Sequence, residues 1–192
     1  MKISEKGQVI IIVAVLLVVV LLFLAVIIDG ARLMVEFQEL NRAVDAAGKA
    51  GLIVVGDCMV TQVVYAQTAA ASITLTTTSA GSTPGPTLTE TPEADDFYSW
   101  LTEDHRSTLV APPMQTMVAT YVLGSVEENG FGLNNPSIIG LDITYPDQYD
   151  RDMKHLQLFI RINRRVVVIF GRLLNLNEGV LSGSTRQTIP QR

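Results

Sequence analysis

The sequence holds one cysteine, Cys58, and two histidines, His105 and His155, in 192 residues. A single thiol cannot close an intrachain disulfide, which excludes a disulfide-stapled secreted scaffold. Cys58 reads as a small buried apolar residue. Neither histidine has a second His or Cys at metal-ligand spacing. No phosphate-cradling glycine loop and no nucleophile motif is present, and Gly130-Phe131-Gly132 fits helix termination better. No enzymatic activity and no cofactor are therefore expected. Basic charge is also scarce: Lys and Arg total 14 against 19 Asp and Glu, a net charge of -5. The basic stripe that marks a nucleic-acid partner is missing. The nearest approach to a metal site is Asp147, Asp150 and Asp152 in an inter-strand loop. These carboxylates suit a hard cation such as calcium, but the glycine and closing glutamate of an EF-hand loop are lacking. A solvated turn is the plainer reading.

What the chain does have is a long apolar run. Val9 to Ile28 contains no charge, Gly, Pro or hydroxyl. At 1.5 Å per residue it spans roughly 30 Å as a helix, the hydrocarbon thickness of a bilayer. It exceeds the apolar region of a signal peptide, and no small-x-small cleavage pattern ends it. A retained anchor is expected. Lys2 and Lys6 on the short side place the N-terminus in the cytoplasm and the larger part outside.

Beyond the run the spacing turns amphipathic. Leu33, Phe37, Leu40, Val44 and Ala47 recur at steps of four and three. Arg32–Glu36 and Asp45–Lys49 are expected i,i+4 ion pairs. Gly48 and Gly51 suggest that this helix ends near residues 51–56. A second helix is expected over Met59 to Ser72. The Thr/Ser/Pro-rich stretch 74–92 reads as an extended surface loop, with O-linked sugar as one use of its hydroxyls. A short helix over Asp95 to Glu103 and a stronger one opened by Pro112-Pro113 follow. The latter buries Met114, Met117, Val118, Tyr121 and Val122 and is closed by Gly130.

The final third alternates with period two. Ile139, Leu141 and Ile143 form one strand, and Leu156, Leu158, Ile160 and Ile162 a second. Val166 to Phe170 and Val180 to Ile189 form a third and fourth. Short connections imply antiparallel pairing. The expected fold class is α+β: a long N-terminal transmembrane helix on a small antiparallel sheet, with additional short helices. Two regions are expected, the helix at 1–52 and an extracytoplasmic α+β domain at 53–192. About 140 residues suffice for one core of that kind.

Glu5 stands just before the apolar run. An unpaired carboxylate carried into hydrocarbon is costly, so it belongs at the interface or beside a positive partner. With Met1 as a mature end, its α-amino group on a neighbouring subunit is a candidate partner. The alternative is an ordinary interfacial residue between Lys2 and Lys6.

The ordered set Glu5-Lys6-Gly7-Gln8, apolar run, Asp29-Gly30-Ala31-Arg32 and Leu40-Asn41-Arg42-Ala43-Val44-Asp45-Ala46-Ala47-Gly48-Lys49-Ala50-Gly51 resembles the N-terminus of TadE/TadG-like proteins. That family belongs to the tight-adherence branch of type IV pili. The resemblance covers about 50 residues by this alignment of motifs. It singles out Gly7, Gln8, Asp29, Gly30, Arg32, Leu40, Asp45, Ala46 and Ala47. Asn41 stands for the usual Gln, Val44 for Ala, and Gly48-Lys49 for an Ala-Leu step. Glu5 also resembles the fifth-position glutamate of mature type IV pilins, which offsets the N-terminal amine of an adjacent subunit. The glycine that precedes a prepilin cleavage site is not found before Met1, so the chain reads as processed or as an uncleaved relative.

The resemblance implies a type IV pilin-like fold and a structural subunit that polymerises through its apolar helix into an extracellular filament for adhesion or motility. Its partners would be copies of itself, the membrane assembly machinery and, before assembly, lipid. The alternatives are a membrane-resident minor pseudopilin or assembly factor, or a single-pass anchored ligand-binding module. The last requires a concave apolar pocket with convergent polar groups in the outer domain.

Overall fold

A computed structural model describes residues 5–77, 97–151, 153–171 and 178–189 of the chain. Helix α1 runs from Glu5 to Thr77, 73 residues without a break, or about 110 Å at 1.5 Å per residue. A 3-10 turn, Phe97–Trp100, leads to α2, Glu103–Val110, and α3, Pro112–Glu128. Three strands follow, β1 at Ile138–Thr144, β2 at Gln157–Val167 and β3 at Glu178–Thr188. They form one antiparallel sheet in the order β1-β2-β3. The architecture is α+β, as the alternating patterns imply: α1 packed on the sheet, with the short helices beside it.

The expected break in α1 near residues 51–56 does not occur, and the helix expected over Met59 to Ser72 is its continuation. Intrinsic propensity disfavours Gly48 and Gly51 in a helix, but packing overrides it. A Cβ on Gly51 would lie 2.7 Å from Leu158 Cδ2 and 2.8 Å from Val122 Cγ2. One on Gly48 would lie 2.7 Å from Gln187 Cγ, and one on Gly183 would lie 2.9 Å from Leu40 Cγ. These glycines let the helix, α3 and the sheet approach closely. The valines Val54, Val55 and Val63, poor helix formers in isolation, are buried.

The core is a sandwich of helix faces and one sheet face. Leu158, Ile160 and Ile162 of β2 are fully buried. They meet Leu40, Val44, Ala47, Val55 and Met59 of α1 and Met114, Val118, Val122 and Val126 of α3. The expected α1 stripe holds at Leu40, Val44 and Ala47, whereas Phe37 is exposed. On α3 the buried residues step by four, so Met117 and Tyr121 face solvent, contrary to the expected stripe. Pro112 opens α3 at the expected place, and Gly130 follows its end with φ +80°, a conformation that suits glycine.

The other helix ends have local causes. Thr102 Oγ1 accepts from the His105 amide at 3.3 Å. His105 Nδ1 accepts in return from the Thr102 amide at 3.4 Å, a reciprocal capping box. This employs His105 in starting α2. The Tyr145 hydroxyl donates to the Leu109 carbonyl at 2.9 Å, fastening the sheet to α2.

Among the described residues three strands form where four were expected. Val166 and Val167 end β2, and residues 168–171 leave the ladder. In β1 a register irregularity between Ile138 and Gly140 turns Ile138 onto the core and leaves Ile139 exposed. Residues 74–77, expected in a loop over 74–92, belong to α1, and the rest of that stretch lies outside the described residues.

Gly51→Ala gains helix propensity but overpacks the core, and overpacking wins at about 1–3 kcal/mol against roughly 1 kcal/mol. Nothing lies within 4 Å of a Cβ at Gly56, so Gly56→Ala should stabilise by about 0.5–1 kcal/mol. Denaturant unfolding in detergent micelles should move the two midpoints in opposite directions. A stabilised Gly51→Ala would contradict the close approach.

Candidate functional site: the apolar segment and its lower hinge to the sheet

From Val9 to Ile28 every residue except Ala25 is exposed. Ile10 is 69%, Leu16 63% and Phe23 67% exposed. Contiguous apolar surface beyond a few hundred Å² marks a membrane or protein interface. Helix α1 is long and apolar enough to cross a membrane. A surface concavity lies on this run, lined by Ile11, Ile12, Val15, Leu16 and Val19.

The run ends at the one buried charged residue among the described residues, Asp29, which is 7% exposed. Its carboxylate accepts three consecutive backbone amides. Oδ1 accepts from Ile169 N at 3.2 Å, and Oδ2 from Phe170 N at 2.7 Å and Gly171 N at 3.0 Å. Successive amides aimed at one point form a compact anion nest. Helical geometry explains why Asp29 reaches it. Asp29 and Ala47 are 18 residues apart, five turns at 3.6 residues per turn, so both project on the sheet side. The chain leaving β2 is thereby tied to the helix where the apolar run stops.

The other residues singled out in the sequence have distinct places. Leu40 and Ala47 are buried against the sheet, and Ala46 is half-buried. Gly30 faces open space. Arg32 Nε pairs with Glu36 Oε1 at 2.9 Å, as expected. The expected Asp45–Lys49 pair is not formed. Asp45 Oδ1 accepts from Gln187 Nε2 at a long 3.5 Å. Glu5, Gly7 and Gln8 lie on the first turns of α1, and their side chains are outside the described residues, as is Met1.

The acidic loop is divided among partners. Asp147 Oδ2 accepts from Arg186 Nε at 2.7 Å. Asp150 accepts the His155 amide at 3.2 Å and lies 2.7 Å from its Nδ1. Desolvation pushes the Asp150 carboxyl up, but the hydrogen bonds and charge of His155 together outweigh it and leave it below its usual value. Asp152 lies outside the described residues. Among the described residues no group of three or more His, Cys, Asp or Glu is placed to hold a metal ion. Cys58 is half-buried against the core, and burial pushes its thiol up, away from the reactive thiolate.

Sequence reasoning flagged Asp29 only through the family pattern. Its physical role was missed because two of its three donors, Ile169 and Phe170, were assigned to a strand, Val166 to Phe170, whose amides would pair with a neighbour. The available signal was a lone carboxylate at the border of an apolar run, which requires concentrated donors.

Residues 7–54 match the family described as Flp pilus-assembly TadE/G-like. The match covers about a quarter of the chain and lies wholly within α1. No curated protein and no solved structure matches the chain. The TadE/G-like stretch takes in the apolar run, Asp29 and the small residues Ala43, Ala47, Gly48 and Gly51 that seat α1 on the sheet.

Hydrogen bonds from amides to a carboxylate contribute about 1.5–3 kcal/mol each, and their loss strands buried donors. Asp29→Ala should therefore raise hydrogen-exchange rates at the amides of residues 169–171 by about 100-fold through local opening. Arg32→Ala removes only an exposed pair and should leave them unchanged. Unaltered protection in Asp29→Ala would contradict the tie between Asp29 and these amides.

Proposed function

We propose that this chain is a pilin-like structural subunit that polymerises through its apolar N-terminal helix into an extracellular Tad-type filament. The observation that carries the reading is the exposed run Val9–Ile28 at the free end of a continuous 73-residue helix. Such a surface is stable in lipid and equally stable against copies of itself. On the order of 1,000 Å² reburied per subunit corresponds to about 25 kcal/mol at ~25 cal/mol per Å², an upper figure before the cost of association. Repeated contacts that do not close generate a helical filament.

In this reading the segment 1–52 supplies the membrane and filament-core contacts, and the part from 53 to 192 forms the outer surface. The N-terminus is cytoplasmic before assembly, and the assembly machinery in the membrane is a partner. The role is structural rather than enzymatic. Glu5 meets the N-terminal amine of the adjacent subunit as the helices come together. The second reading is a membrane-resident assembly factor. It is favoured by the TadE/G-like description of residues 7–54, which names pilus assembly rather than the filament.

The two readings part on where the protein is found. Filaments sheared from cells should contain this chain in amounts comparable with the filament mass. Glu5→Ala should cut that amount about ten-fold while the membrane-inserted pool is unchanged, since only the intersubunit charge contact is lost. Immunoblots of sheared and membrane fractions check both. A chain confined to the membrane fraction favours the assembly factor, and an unchanged Glu5→Ala yield removes Glu5 from the mechanism.

A further inference from the structure

Past the apolar run, α1 keeps one face uncovered. Ile28, Val35, Arg42 and Lys49 follow at steps of seven, and Ile53 and Val60 extend the same line. All six are exposed. A step of seven drifts only about 20° around a helix, so this face is continuous with the apolar run and lies opposite Leu40, Ala47 and Gly51. Four charges stand on or beside it: Glu39, Arg42, Asp45 and Lys49, in alternating sign and all exposed. No ion pair joins any two of them, although Glu39–Arg42 and Asp45–Lys49 have helical pairing distances in sequence. Asp45 has only its long bond from Gln187. Nearby, the Arg32–Glu36 pair shows that a charge pair at this spacing does close within the helix elsewhere on α1.

We infer that Glu39, Arg42, Asp45 and Lys49 form a charge ladder that sets the axial offset between neighbouring copies of this chain. The inference rests on the polymer reading above, in which translation along a filament axis keeps neighbouring helices parallel. Two parallel copies in register would place like charges side by side. An offset of three to four residues, about 5 Å at 1.5 Å per residue, pairs Glu39 with Arg42, Arg42 with Asp45 and Asp45 with Lys49. An offset of seven again sets Arg42 against Lys49. The ladder selects a single short stagger, with the apolar run supplying the attraction and the charges the register. Charges commonly act in this way at interfaces, by penalising wrong juxtapositions.

Sign inversion provides the test. Arg42→Glu turns positions 39 to 45 into a run of negative charge. The fourfold variant Glu39→Lys, Arg42→Glu, Asp45→Lys, Lys49→Glu reverses every rung and is again self-complementary at the same offset. With each chain expressed as the sole copy in its own cells, sheared filament yield is compared by immunoblot, and membrane-inserted protein is measured alongside. Arg42→Glu should lower filament yield about ten-fold at an unchanged membrane level, and the fourfold variant should recover to within about two-fold of the unsubstituted chain. An Arg42→Glu yield equal to that of the unsubstituted chain overturns the ladder. So does a fourfold variant that inserts normally but assembles no better than Arg42→Glu. Absence of the unsubstituted chain from filaments overturns instead the polymer reading on which the ladder rests.

Discussion

The Asp29 carboxylate, held by three consecutive amides at residues 169–171, is the contact on which the arrangement of the whole chain depends. Above it, α1 is committed to the sheet through Leu40, Ala47 and Gly51. Below it, Ala25 is the last buried residue among the described ones, and Val9 to Leu24 are all exposed. Without a fixed point at that border, the sheet would be secured to the helix only from Leu40 upward. With it, the exit from β2 is fixed a further 11 residues, roughly 16 Å, toward the apolar end. A carboxylate suits this place because its oxygens gather several amides at one point, which a neutral amide side chain does less well.

The continuity of α1 is the second constraint. A helix of this length and composition is not stable by propensity alone, and its glycines argue against it locally. It survives because each glycine at the contact face replaces a side chain that would collide with Leu158, Val122 or Gln187. The same small-residue pattern therefore weakens the helix in isolation and secures it in place. Along the apolar run the situation reverses: Val9 to Ile28 is exposed at every residue but Ala25, and in the proposed filament other copies of the helix would supply its contacts.

Much of this was legible in the residues. The apolar run, the α+β class, the antiparallel order and the start of α3 at Pro112 follow from period and composition. The N-terminal motifs also lead to the TadE/G-like family that residues 7–54 match. What was not legible depended on tertiary contact. Gly48 and Gly51 read as helix breakers because nothing in the local sequence shows Leu158 and Gln187 approaching them. Val166 to Phe170 read as a strand because β-branched residues favour one, whereas Asp29 draws the amides of residues 169–171 out of the ladder from 140 residues away. Met117 and Tyr121 fit a helical stripe but fall outside the narrower line, Met114, Val118, Val122 and Val126, that is buried against α1 and the core. The position of Asp147 beside Arg186 depends likewise on which strands pair, whereas Asp150 meets His155 within one loop.

Assembly into a filament requires the surface of Val9 to Ile28 to be reburied against other copies of itself. A density map of filaments sheared from cells tests it directly. The predicted result is a core of parallel helices in which residues 9–28 of each copy touch residues 9–28 of its neighbours. A filament core built from another chain, or one in which this segment faces solvent or lipid, would contradict it.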